Sequence, residues 1–400
     1  MADMKRQSVY AVILAGGQSS RLFPFNKVIS DLTGSGKSLI QQAFARAGLA
    51  PKQNRYVLTV REMVAPIRRQ LKLPADHFFV DPVRRGTWPA LLWAMGHLRQ
   101  KNPDAIMAVM TGDHVIQGDR AFSQAFRQAV KAAGEKKAIV MMGIPPVDDP
   151  SEWRGFGCFR ADASGKVIDF CEKPTLERSQ QMIEEGDWQW NSGMFFFRIA
   201  TAEVALERFQ PEMFRVYKAV TKSLAEGKES DAASQFKDFA DKIPHPLDPG
   251  RYVDNSIDYA IMTPLVATGD EGLLAAAVCG TRFRWTDLGQ WTALRQVAKP
   301  DRHGNVCVGD VQVGPDVCNS ILAADRGHRI LVSGIQDRIV AFAGGKALVL
   351  PVSDVGRIKE IVALSKAKGP LVGDPESIAS FALSKRSNVA VLSNRPKEAI

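Results

Sequence analysis

No uninterrupted apolar run among the 400 residues approaches the roughly 20 needed to cross a bilayer, so no membrane-spanning helix and no membrane partner is expected. The stretch most like a secretory signal is Lys5 and Arg6 ahead of Val9 to Ala15. Its apolar part is of minimal length and runs straight into Gly16-Gly17, so a buried first strand explains it better. Cysteine is sparse. Cys158, Cys171, Cys279, Cys307 and Cys318 are odd in number, widely scattered, and include no C-x-x-C pair. That removes the usual signatures of structural zinc and dithiol redox chemistry and fits a reducing, cytoplasmic setting. A basic tract is missing too. Lys and Arg exceed Asp and Glu by 52 to 43, yet the cations are spread along the chain without interleaved aromatics. No nucleic-acid partner is expected, and an anionic small-molecule substrate accounts for the charge more simply.

What is present is a globular composition, 45% hydrophobic and 24% charged, long enough for a main domain and a smaller one. Runs rich in Val, Ile, Phe and Met at Val9 to Leu14, Arg55 to Val60, Phe78 to Val80, Ala105 to Met110 and Ala138 to Met142 read as buried strands. Between them, Ser38 to Gly48, Val64 to Leu71, Trp88 to Gln100 and Ala121 to Ala133 carry apolar residues at the helical spacing of three and four. This alternation predicts an α/β fold, a Rossmann-like, mostly parallel mixed sheet flanked by helices, with ligands at the carboxyl ends of the strands. After residue 150 the pattern is mixed, with a strand at Val167 to Cys171, a helix at Glu177 to Glu185 and a strand at Met194 to Arg198. Past Pro300, short β-rich pieces between glycines predict a small C-terminal β domain over Asn305 to Pro351, its spacing suggestive of the stacked rungs of a β-helix. An amphipathic helix at Ser353 to Lys366 follows. The expected division is 1–299 for the main domain, in halves of about 1–150 and 151–299, then 300–366 for the small β domain and closing helix, and 367–400 as a tail of unassigned structure.

The segment Leu14-Ala15-Gly16-Gly17-Gln18-Ser19-Ser20-Arg21-Leu22-Phe23-Pro24 directly follows the first strand. Adjacent glycines let backbone amides approach an anionic or planar ligand closely, and an arginine just beyond can neutralise phosphate charge. An ordinary strand-to-helix turn is the plain alternative for this segment alone. Gly34-Ser35-Gly36-Lys37-Ser38 imitates the end of a phosphate-binding P-loop, but Asp31 stands where that pattern needs its first glycine, and no strand precedes it.

The first segment resembles the L-A-G-G-x-G-[TS]-R-L-x-P loop of the sugar-1-phosphate nucleotidyltransferase superfamily, and within it of the mannose-1-phosphate guanylyltransferases. Ser19 replaces the third glycine, and Lys27 in Phe25-Asn26-Lys27 matches the lysine of the family's Pro-Lys pair without its proline. Asp81-Pro82-Val83-Arg84-Arg85-Gly86-Thr87-Trp88-Pro89-Ala90 resembles E-P-x-x-R-N-T-A-P-A, with Gly86 for asparagine and Trp88 for alanine. Thr111-Gly112-Asp113-His114 is similar to P-A-D-H, and Trp285-Thr286-Asp287-Leu288-Gly289-Gln290-Trp291 to W-x-D-x-G-x-W. On the acceptor side Gly155-Phe156-Gly157, Phe170-Cys171-Glu172-Lys173-Pro174, Trp190-Asn191-Ser192-Gly193-Met194-Phe195 and Ser256-Ile257-Asp258-Tyr259-Ala260 occur in family order, and the likeness covers most of residues 8 to 365.

The resemblance implies the nucleotidyltransferase fold and transfer of a nucleotidyl group from a nucleoside triphosphate, GTP favoured, to a hexose 1-phosphate, mannose 1-phosphate favoured, with release of pyrophosphate. It implies Arg21 and Lys27 as catalytic cations, and Leu14, Ala15, Gly16, Gly17, Arg85, Gly86, Thr87 and Gly112 around the nucleotide. Gly157, Glu172, Lys173 and Asn191 would receive the sugar phosphate, and Asp113 and Asp287 would hold Mg²⁺, a cation that takes one or two carboxylates beside phosphate oxygens. Asp258 is expected to be buried and to support the acceptor pocket, and His114 to be structural. Base, hexose and any homo-oligomer stay open. The alternative is a degenerate regulatory protein that binds sugar nucleotide without turnover, which the altered first loop would favour.

Overall fold

The computed structural model describes residues 8–17, 20–269 and 272–367, so Ser19 and the expected tail from 368 onward lie outside the described residues. The chain forms two compact units, and their boundaries do not follow the sequence division at 299/300. Of the described residues, the first comprises those up to Gly16, Ile40–Gly112 and Ile116–Trp285, and the second comprises those in Gly17–Leu39, Asp113–Val115 and from Thr286 onward.

In the first unit, strands β1 (Val9–Leu14), β2 (Arg55–Thr59), β3 (Phe78–Val80) and β4 (Ile106–Thr111) pair in parallel in the order β4-β1-β2-β3. Every residue of β1 except half-buried Leu14 is buried, as expected of a parallel strand covered on both faces. After the short β5 (Val115–Gln117) come β6 (Ala138–Ile144), the hairpin β7 (Gly157–Ala161) and β8 (Val167–Glu172), and the long β9 (Trp188–Arg198). Strand β9 runs antiparallel between β4 and β6 and also pairs β7, so the sheet is mixed. A hairpin of β10 (Lys242–His245) and β11 (Asp248–Asp254) lies apart, β12 (Leu274–Val278) adds in parallel beside β6, and β13 (Arg284–Thr286) ends the run.

Helices α1 (Leu39–Arg46), α2 (Arg61–Leu71), α3 (Thr87–Lys101) and α4 (Asp119–Glu135) alternate with these strands. Helix α4 shows why: Phe122, Ala125, Phe126, Ala129, Val130 and Ala133 form one buried stripe. Helix α3 is buried nearly all round from Trp88 to Gly96. Later helices are α5 (Pro150–Trp153), α6 (Leu176–Glu185), α7 (Ile199–Phe209), α8 (Pro211–Ala225), α9 (Glu229–Gln235) and α10 (Thr263–Thr268). A Cβ on Gly96 of α3 would stand 3.0 Å from Leu224 of α8, so glycine permits that close crossing.

The second unit contains the rungs expected from the sequence. Strands β14 (Val306–Val308), β15 (Asp310–Val313), β16 (Ile321–Ala324), β17 (Arg329–Val332) and β18 (Arg338–Ala343) stack in parallel, β14-β16-β18 in one sheet and β15-β17 in another. Val306, Ile321 and Ile339 align as an inward ladder, and β19 (Lys346–Pro351) closes antiparallel to β18. The expected helix at Ser353 to Lys366 is instead a 3-10 turn at Val352–Arg357 followed by α11 (Ile358–Ala367). Gly356, a poor helix former, stands within that turn.

Candidate active site

In the first unit, hydrogen bonds tie the carboxyl ends of β1 and β2 together. The Ala15 N–H donates to the Leu58 carbonyl at 2.9 Å, and Thr59 Oγ1 donates to the Ala15 carbonyl at 2.7 Å. Among the described residues, a Cβ on Gly16 would find only an ordinary contact at 3.7 Å, and one on Gly17 would meet nothing within 4 Å. No described neighbour demands glycine at either position. Gly112 differs. Its N–H donates to the Leu14 carbonyl at 2.9 Å, and a Cβ there would lie 2.7 Å from that oxygen, so it is a packing glycine between β1 and β4.

Gly86 is also needed locally. With φ at 108° and a would-be Cβ 2.2 Å from the Asn255 carbonyl, no larger residue fits. That same carbonyl accepts the Trp88 N–H at 3.2 Å. Because Pro89 has no N–H, Thr87 alone among the first three positions of α3 has an N–H to offer an anion. Arg85 Nη2 donates to the Lys237 carbonyl at 3.1 Å. Asp81, where the family segment begins, is pushed up to about 6 by burial, against the Val83 N–H and the Arg84 charge.

The residues expected on the acceptor side, Gly157, Glu172, Lys173 and Asn191, lie together. Strand β9 brings Asn191 to Asp258, with Asn191 Nδ2 donating to Asp258 Oδ1 at 2.8 Å and Asn191 Oδ1 accepting the Gly193 N–H at 3.1 Å. The amide is thereby oriented at both ends. Glu172, at the end of β8, has a side chain only 8% exposed, and Lys173 Nζ lies 3.3 Å from its Oε1. Directly across the hairpin from Glu172 stands Gly157, where a Cβ would be 2.4 Å from Glu172 Oε2. Burial, with the Asp258 charge adding to it, raises Glu172 well above its ordinary value, and burial likewise raises Asp258. Phe156 packs on Trp190 and Trp285 at ring separations of 4.9 and 5.2 Å.

The second unit holds the cationic loop. Lys27 is buried, and its Nζ lies 2.9 Å from Asp113 Oδ2. Burial alone would raise the Asp113 carboxyl, but the Lys27 and His114 charges and the hydrogen bond from Lys27 together bring it below the usual range. His114 Nε2 is 3.7 Å from Asp113 Oδ1. Arg21, on a 3-10 turn at Ser20–Leu22, is exposed and makes no hydrogen bond or ion pair among the described residues. Asp287 Oδ1 accepts the Gly289 N–H at 2.9 Å. The P-loop imitation is explained by Asp31, whose carboxylate accepts the backbone N–H groups of Thr33, Ser35 and Gly36 at 2.6 to 3.2 Å. The loop is wrapped around an anion of its own.

No group of three or more His, Cys, Asp or Glu side chains forms a metal cage among the described residues. Asp113 and Asp287 are carboxylates, the ligand type a hard cation takes beside waters and phosphate oxygens; Asp113 Oδ2 is engaged by Lys27 and Asp287 Oδ1 by the Gly289 N–H. Sequence reasoning missed Thr59 and Asn255 as supports of the loops and Asp31 as the internal anion. A lone polar residue ending the apolar run of β2 was the available signal for Thr59.

Residues 10–303 match the Nucleotidyl transferase family, and the chain belongs to it; it is a nucleotidyltransferase. The motif resemblance to the sugar-1-phosphate nucleotidyltransferase superfamily is thereby borne out. Among relatives, Mannose-1-phosphate guanylyltransferase ManC of Salmonella typhimurium is 30% identical over 389 residues, 92% of this chain and 75% of that protein. Mannose-1-phosphate guanylyltransferase of Escherichia coli K12 is 28% identical over 388 residues, with the same coverage of 92% and 75%. The crystal structure of mannose-1-phosphate geranyltransferase from Thermus thermophilus is similar with a TM-score of 0.73 at 24% identity, over 90% of this chain and all of that one, a likeness of fold alone. Among the described residues no helix is long and apolar enough to cross a membrane.

Proposed function

We propose that the protein transfers a guanylyl group from GTP to mannose 1-phosphate, releasing pyrophosphate, with Mg²⁺ as its metal. The observation that carries the acceptor side is the buried cluster of Glu172, Asn191 and Asp258 with Lys173 at its edge: carboxylates to accept sugar hydroxyls, an oriented amide to donate and accept, and an ammonium for the 1-phosphate. The choice of mannose and guanine is supported by the names of the relatives. The 1-phosphate oxygen is already ionised at neutral pH, so no general base is needed; it bonds to the α-phosphorus in line as the bond to the pyrophosphate oxygen breaks.

Repulsion between phosphates is then the main barrier, and the chain's own cations oppose it. Lys27, held by Asp113, meets charge on the departing phosphates, and Arg21 supplies a second cation without a partner among the described residues. Asp113 and Asp287 would hold Mg²⁺, whose chemistry there is to neutralise phosphate charge. Pyrophosphate release should be measured across a panel of nucleoside triphosphates and hexose 1-phosphates, with Mg²⁺ or a chelator. The expected result is fastest turnover with GTP and mannose 1-phosphate, loss of turnover with the chelator, and a fall in kcat of at least roughly a hundredfold in Lys27→Met. Binding of sugar nucleotide without pyrophosphate release from any pair would favour a regulatory protein, and wild-type turnover in Lys27→Met would make Lys27 an ordinary buried lysine.

A further inference from the structure

Trp291 is wholly buried, and no step above uses it. Its indole Nε1 donates to the Phe23 carbonyl at 3.3 Å. Its ring meets the ring of Phe25 edge-on, 5.6 Å away at 83°. In sequence Phe23 and Phe25 stand between Arg21 and Lys27, so the arch joining the two cations is fastened to one indole. Around that fastening the contacts are apolar: Leu22 and Phe25 share a core with Trp291, with Val306, Ile321 and Ile339 of the rungs, and with Ile358 and Val362 of α11.

Apolar contacts are non-directional, whereas a hydrogen bond to a carbonyl fixes the register of the backbone that carries it. Trp291 is also tied to Asp287 by a stiff turn, in which Leu288 takes a positive φ of 44° and donates its N–H to Thr286 Oγ1 at 3.2 Å. We propose that Trp291 is a positioning residue for Lys27: through Phe23 and Phe25 it sets the height of the cationic arch, so the C-terminal part of the chain governs turnover rather than substrate binding. A displacement of about 1 Å in a reacting geometry can cost on the order of a hundredfold in rate, so a fastening of this kind has kinetic weight.

The inference rests on the role given to Lys27 in the proposed function. The test compares wild type, Trp291→Phe, Lys27→Met and the double variant by pyrophosphate release and thermal melting. Phenylalanine keeps a buried ring and deletes only the indole N–H and part of the ring area. Trp291→Phe should lower kcat by about tenfold with both KM values within about twofold, whereas in the Lys27→Met background the same change should cost less than about twofold, because the positioned group is gone. If Trp291→Phe does not fold, Phe25→Leu, which removes the edge contact and leaves the indole, should show the same pattern. Equal cost in both backgrounds, or no cost in either, overturns the inference. Unimpaired turnover in Lys27→Met overturns the proposed role of Lys27 and this inference with it, a result distinct from an impaired Lys27→Met beside a silent Trp291→Phe.

Discussion

Gly157→Ala adds a single methyl group, and the structure shows where it must go. Its Cβ would lie 2.4 Å from Glu172 Oε2, closer than two atoms can approach, while the next neighbours, Phe170 and Asn191, are at 3.4 and 3.5 Å. The obstructed atom is the end of a flexible side chain, so the carboxylate swings aside and the fold survives. Stability should hardly change, since alanine in place of glycine gains about 0.4–1 kcal/mol from the unfolded chain, and the displaced carboxylate leaves an unfavourable burial. Tm should stay within about 3 °C of wild type. What is lost is the acceptor geometry. A hydrogen bond from a carboxyl that burial keeps largely neutral contributes about 0.5–1.5 kcal/mol, which converts to roughly a two- to tenfold weaker grip on the sugar. Initial rates at saturating GTP and varied mannose 1-phosphate should show that increase in KM, with the GTP KM unchanged. An unchanged KM for the sugar would remove Glu172 from the acceptor pocket, and a Tm drop of about 10 °C would show that its carboxylate has nowhere else to go.

Asp113→Asn and Asp287→Asn should each cut turnover by at least roughly a hundredfold and raise the Mg²⁺ requirement, yet differ in stability. Asp113→Asn strips buried Lys27 of its counter-charge and should lower Tm by about 3–6 °C, whereas an amide at 287 still accepts the Gly289 N–H and should leave Tm within about 2 °C; calorimetry showing the reverse order would refute the pairing. Glu172→Gln should stabilise the protein increasingly as pH rises. Burial raises the folded carboxyl above its ordinary value of 4.5, so wild-type stability is full below that value and is lost as pH climbs through the raised one, while the amide is indifferent. Melting curves from about pH 4 to about pH 8 with a constant difference would show that Lys173 keeps Glu172 ionised at no cost.

Strands β1 and β3 have the bounds their apolar runs announce, Val9–Leu14 and Phe78–Val80. Strand β9 starts at Trp188, six residues before the expected Met194, because Gln189, Asn191 and Ser192 interrupt the apolar pattern. Of these, Asn191 reaches the Asp258 carboxylate, and polar residues that break the alternation hide the first half of the strand. Helix α2 likewise begins at Arg61 rather than Val64 and accommodates Pro66 inside it. The grouping of Glu172, Lys173, Asn191 and Asp258 was legible because their motifs occur in family order, and the structure brings those side chains together. Their supports were not. The Asn255 carbonyl that requires glycine at 86 and the Phe23 carbonyl bound by Trp291 are backbone atoms reached from far along the chain, and no local pattern encodes such a contact.

Leu22, Phe25, Leu32 and Leu39 share one apolar core with segments that begin some 270 positions later, packing among Trp291, Leu294 and the rung residues. The exchangeable module of this chain is therefore not contiguous in sequence. A chimera joined near residue 300 would take Arg21, Lys27 and Trp291 from one parent and the rungs and α11 that pack in the same core from the other. Two relatives could each be fully active and still yield an inactive hybrid. Homologous replacement would succeed only where the first loop and the C-terminal rungs travel together.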